Sequence, residues 1–136
     1  MRKLAILAAA GLCAAALPAT AHHSGAMFDR AQTITLKGTV KEYQYTNPHS
    51  WIEVMVTADG KTIQWGVECE GPGVMRRLGL TPSVLKPGDA VTIRAHPLRD
   101  GRPGGSFVDI VLPDGKTIAA NQFAPAAPAG AAAPAR

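Results

Sequence analysis

Asp59-Gly60 separates two runs in which every second residue is apolar: Ile52, Val54 and Val56 before it, and Ile63, Trp65, Val67 and Cys69 after it. A period of two is the repeat of a strand with one face buried. Asp-Gly readily takes the positive φ angles of a two-residue hairpin turn. The spacing therefore predicts an antiparallel hairpin at the centre of the chain.

The rest of the sequence extends this pattern. Ile34, Leu36, Gly38 and Val40 alternate with polar residues, and a change of face between Val40 and Tyr43 predicts a bulge in a first strand that runs on toward Tyr45. Val74, Met75 and Leu78 fit one face of a short helix that Gly79 ends. Lys86-Pro87-Gly88-Asp89 reads as a turn. Val91, Ile93 and Ala95 line a fourth strand, and a glycine-rich loop leads to a fifth around Phe107 to Leu112. Asp-Gly-Lys-Thr-Ile occurs at 59–63 and again at 114–118, which reads as one turn used twice. Three strands, a short helix and two more strands predict an all-β fold, a small OB-like Greek-key barrel of about five strands with the helix between strands 3 and 4. A sandwich would want more strands and no intervening helix.

The ends read differently. Met1-Arg2-Lys3, an apolar run from Leu4 to Leu17 and the small-residue close Ala19-Thr20-Ala21 have the order of a secretory signal peptide at residues 1–21. The run is shorter than the roughly 20 apolar residues of a spanning helix, so no membrane span is expected after processing. Leu12 before Cys13 is a poor fit to a lipid-attachment site. Residues 124–136 are almost all Ala and Pro and read as a disordered tail, leaving 22–123 as one β-barrel domain. The expected location is periplasmic or secreted. Loss of Arg2 and Lys3 lowers the net charge from +4 to +2, and no basic stripe survives that would favour nucleic acid. Cys69 is the only cysteine of the processed chain, which excludes an internal disulfide and predicts a buried small hydrophobe.

The four histidines carry the chemistry. Cleavage after Ala21 gives His22 a free α-amine with an ordinary pKa of about 7.7 to 8.0, which a metal can deprotonate near neutral pH. That amine and the His22 imidazole can chelate one ion, and a further histidine completes a three-nitrogen set resembling the copper histidine brace. An all-nitrogen tetragonal set favours Cu(II). His49, on the constrained loop of Asn47-Pro48-His49, is the expected third donor. His23 is the substitute for His22, and His96, on the strand face opposite Val91, Ile93 and Ala95, is the weakest candidate. Each also has a plain reading, as a solvated terminus, a turn residue or a surface residue. Met27, Met55 and Met75 offer thioethers for Cu(I), with core packing expected for Met75. Glu68 and Glu70 read as a solvated strand face. No HExxH, Walker loop, GxGxxG, CxxC or G-x-S-x-G occurs.

His22-His23-Ser24, Phe28-Asp29, Gly38-Thr39-Val40, Asn47 to Ile52, Trp65 to Glu68, Lys86 to Asp89 and Asp114-Gly115 together resemble a family of small exported bacterial proteins of unknown function. The resemblance spans nearly the whole processed domain and implies no activity or cofactor, and Cys69 is not part of its pattern. Three functions are carried forward. The first is copper binding in metal handling or delivery, with a periplasmic protein as a possible recipient. The second is a copper oxidase using the same site. The third is a metal-free OB-type module for a peptide, glycan or protein.

Overall fold

The computed structural model describes residues 25–121. Both termini of the chain, including the expected signal peptide, His22, His23 and the Ala/Pro-rich segment, lie outside the described residues. The elements are β1 (Ile34–Gln44), β2 (Trp51–Ala58), β3 (Lys61–Glu68), α1 (Pro72–Leu78), β4 (Ala90–Pro97), β5 (Gly104–Val111) and β6 (Thr117–Ala119), with a 3-10 turn at Gly25–Met27 ahead of them.

The strands close into a five-stranded barrel. β1 pairs antiparallel with β2 along its C-terminal half and with β4 along its N-terminal half, β4 pairs with β5, and β3 meets β5 in parallel at Gly66 to Glu68. Closure removes most of the open edges that a flat sheet of this size would expose. One strand can serve two halves of the barrel because it bends. The register between β1 and β2 shifts between Val40 and Glu42, the bulge expected from the change of face. Gly38 marks the tightest crossing, where a Cβ would stand 2.2 Å from the Met55 carbonyl oxygen.

The glycine-rich stretch expected as a loop is the start of β5. Gly104 and Gly105 pair with Gly66 and Val67, and a Cβ on Gly105 would lie 2.8 Å from the His96 carbonyl oxygen. Glycine is used there for close backbone approach. A sixth short strand, β6, joins the sheet beside β5 and buries Ile118. The repeated Asp-Gly-Lys-Thr-Ile does not form one turn twice. Asp59 and Gly60 both have positive φ, at 52° and 74°, whereas in the second copy only Gly115 does. There the Asp114 carboxylate instead accepts the Lys116 amide N–H at 2.9 Å.

The core joins Ile52, Val54, Val67, Ile93 and Ile110 from the strands to Met75 and Leu78 of α1. Pro72 opens the helix at a position where its missing N–H has no partner to lose, and Gly79 ends it in the left-handed conformation at φ 93°. Seven residues cannot hold a helix alone, so burial of Met75 and Leu78 sustains it. Tyr43 and Tyr45, packed edge to face at 5.7 Å, tie β1 to both helix ends by donating to the carbonyls of Leu80 and Pro72. Among the described residues no helix is long and apolar enough to cross a membrane.

Candidate functional site

A cleft of about 890 Å³ opens on the outer face of β2, β3 and β5, between the β1–β2 connection and the β4–β5 connection. OB barrels use this region, the face of strands 2 and 3 flanked by these two loops, to hold ligands. Trp51, Gly66 and Glu68 form its floor. Gly66 leaves that floor open beside Trp51, and a Cβ there would sit in ordinary contact with Trp51 and the Glu53 carboxylate at 3.8 and 3.5 Å.

His49 stands on one wall, and its Nδ1 is engaged by the Glu68 carboxylate. Hairpin register produces this meeting. The two-residue turn at Asp59-Gly60 sets Trp51 opposite Glu68, so the residues just before Trp51 emerge beside the end of β3. Two backbone bonds fasten the junction. The Ser50 N–H donates to the Glu70 carbonyl at 3.2 Å, and the Cys69 N–H donates to the Ser50 carbonyl at 2.9 Å. The Thr46 hydroxyl donates to the His49 carbonyl at 3.1 Å, closing the loop on itself. Glu68 is therefore not a solvated strand residue as expected. Its role follows from adding the hairpin register to the Asn-Pro-His motif.

Another part of the lining is the segment that enters the barrel. Gly25, Met27 and Phe28 line the same cleft as His49. Phe28 is buried and forms an antiparallel bridge with Leu98, while the Asp29 N–H donates to the Pro97 carbonyl at 2.8 Å. Of the three methionines that follow the expected cleavage point, Met27 is half-exposed in the cleft, Met55 lies on β2 outside it, and Met75 is in the core.

His96 is placed elsewhere. Its Nδ1 lies 2.7 Å from the Gln32 carbonyl oxygen, and it does not line the cleft. Cys69 touches the cleft but is buried, and burial, followed by repulsion from Glu68 and Glu70, pushes its thiol well above the ordinary range. It is a neutral packing group there. Among the described residues no three His, Cys, Asp or Glu side chains come together in a metal-binding cluster. A three-donor site at His49 thus needs donors from the segment before Gly25.

The fold and cleft define a small OB-type barrel with a ligand-sized groove. The chain belongs to a family of unknown function, DUF6152, whose model matches residues 9–107. No curated protein sequence matches it. Among solved structures, it is similar to the mitochondrial single-stranded DNA binding protein of S. cerevisiae, at 14% identity and a TM-score of 0.47, over 60% of this chain and 92% of that one. A selenomethionine-labelled structure from the same yeast gives 17% identity and a TM-score of 0.41, with the same coverage. Likeness at this level does not transfer a function.

Proposed function

We propose that this chain is an exported copper-binding protein that holds Cu(II) between the α-amine and imidazole of His22 and the imidazole of His49, in metal handling or delivery. The observation that carries this reading is that Gly25 and His49 line one cleft. His22 is three residues before Gly25, within about 10 Å of chain reach. With Nδ1 engaged by Glu68, Nε2 of His49 is the nitrogen that would meet the metal. A carboxylate on the far nitrogen of a histidine ligand fixes its tautomer and raises its basicity. His23 serves as the substitute donor from the same terminus, while His96 takes no part.

The charges of the cleft are mixed and do not favour a polyanion. Glu68 and Glu70 lie on it together with Arg30 and Arg102, and Arg102 is paired with Asp100. This mixed lining lacks the basic stripe with which proteins track a phosphate backbone, so nucleic acid is not a partner in this reading.

Titration of the processed protein with Cu(II) under competition from a chelator tests the proposal. Tight binding that is lost when Ala-Pro precedes His22, and again in His49→Ala, supports it; the proline, lacking an amide N–H, keeps the extension from forming a chelate of its own. Binding indifferent to that extension refutes it. A second reading has its own observation: Trp51 lies on the floor of an OB-type groove beside the open position at Gly66, a surface suited to a peptide or glycan without metal. Absence of any copper binding would favour that module.

A further inference from the structure

We propose that the outer face of the barrel at Trp51 is a binding platform for a neutral, gluco-configured oligosaccharide. The inference rests on the metal-free reading of the groove and names its ligand class. Strand register builds the platform. Gln44 on β1 pairs with Trp51 on β2, Trp51 with Glu68 on β3, and Glu68 with Ser106 on β5, so one row of four side chains crosses four strands. All four are half-buried and line the cleft. In the next row Gly66 pairs with Gly104, and neither carries a side chain. A Cβ on Gly66 would lie 3.8 Å from Cε3 of Trp51, so the indole borders open floor.

The chemistry of that row selects the ligand. Neighbouring strands stand about 4.8 Å apart, so a flat ring seated on the indole has an amide on one side and a carboxylate on the other. Sugar hydroxyls both donate and accept. They suit a row that combines the acceptor-only Glu68 carboxylate, the Gln44 amide and the Ser106 hydroxyl. The His49 imidazole engages Glu68 and holds that carboxylate in place. A β-linked glucose or N-acetylglucosamine unit keeps its hydroxyls equatorial and presents a face of C–H bonds, which packs on the indole as apolar area.

Other ligands are less well matched. A peptide added as a strand needs a free sheet edge, and β5 already occupies the β3 edge from Gly66 to Glu68. Glu68 and Glu70 are offset by Arg30 and Arg102 around the same cleft, which leaves no single-sign field to select a charged ligand.

The test is an NMR titration of the processed protein, purified after expression of the full chain, with a chelator present so that bound metal plays no part. The probes are cellotetraose, the tetramer of N-acetylglucosamine, and trialanine. Affinity is read from backbone amide shifts of β2 and β3 and, in the native protein, from the Trp51 indole N–H. Either sugar should shift these signals in a saturable way. Trp51→Ala should weaken sugar binding about tenfold. Gly66→Val, whose Cβ meets only ordinary contacts at 3.5 Å and beyond, should fill the open floor and abolish binding in a barrel that stays folded. Met55→Ala, two rows along β2 and outside the cleft, should change nothing. Sugar binding that survives both Trp51→Ala and Gly66→Val would overturn the platform. If trialanine binds and neither sugar does, the sugar assignment falls and the metal-free reading stands. If none of the three binds, both fall.

Discussion

The Glu68 carboxylate engages Nδ1 of His49, joining the end of β3 to the loop that precedes β2. A pair formed across a hairpin mouth holds the imidazole in one orientation, and orientation decides whether a ligand is ready or must be ordered on binding. Glu68→Ala should weaken Cu(II) binding about 10- to 100-fold, and Glu68→Gln should lose less, because its amide oxygen still accepts from Nδ1–H. Competition titration checks both. Equal affinities across the series would remove Glu68 from the site.

Gly71 governs the same loop from behind. A Cβ on it would stand 2.6 Å from the Pro48 carbonyl oxygen and 3.9 Å from the Asn47 side-chain oxygen. Gly71→Ala should therefore push on the turn that carries His49, lowering stability by about 1–3 kcal/mol and weakening copper binding together. Gly73, whose Cβ would meet nothing closer than Arg77 at 4.0 Å, is the control. Gly73→Ala should gain about 0.5–1 kcal/mol of helix stability and leave the metal untouched. Urea unfolding and copper titration of both variants separate the effects.

Ser50 continues the inward face of Ile52 and Val54, and its hydroxyl is buried with no hydrogen-bond partner among the described residues. Ser50→Ala should leave stability unchanged or raise it by up to about 1 kcal/mol, since it removes an unmet desolvation penalty. Ile52→Ala, two residues on, should cost about 2–5 kcal/mol by opening a core cavity. Denaturant midpoints give both. A clear loss in Ser50→Ala would mean that the hydroxyl has a partner in solution.

Stability should fall on the alkaline side. Burial holds the Cys69 thiol well above its ordinary 9.0, with Glu68 and Glu70 adding repulsion, and burial holds the Tyr43 phenol above 10.0. Both groups are neutral when protonated, and the folded chain keeps protons that the unfolded chain releases. Stability is thus fully present below pH 9 and declines as pH rises past 9.0, then more steeply past 10.0. Cys69→Ala should remove the first part of that decline. Urea midpoints taken between pH 7 and 10.5 test the sign, and a flat profile in the native protein would contradict it.

The sequence was most legible where local chemistry and burial agree. Alternation around Asp59-Gly60 identified β2 and β3, the face change after Val40 identified the bulge, and Gly79 identified the end of α1. It was least legible where one residue type serves opposite ends. Gly104 and Gly105 looked like a loop, yet they are strand residues, and at Gly105 β5 passes too close to the His96 backbone for a side chain. Asp114-Gly115 copied Asp59-Gly60 in letters but not in φ angles. At the site, His49 was visible as a histidine on a constrained loop. Glu68 was not, because its importance comes from register, although counting back from the two-residue turn sets it opposite Trp51. The wall formed by Gly25 to Phe28 depends on a bridge to Leu98 some seventy residues away, and no local pattern encodes that.

The claim that an N-terminal histidine and His49 share one copper ion is tested most directly by the Cu(II) EPR spectrum of the processed protein. It should be recorded with His22 first and again with Ala-Pro ahead of it, the proline having no amide N–H with which a new terminal chelate could form. A shared ion gives a nitrogen-rich tetragonal spectrum whose superhyperfine pattern loses nitrogen coupling on the extension and again in His49→Ala. Identical spectra with and without the extension would contradict it.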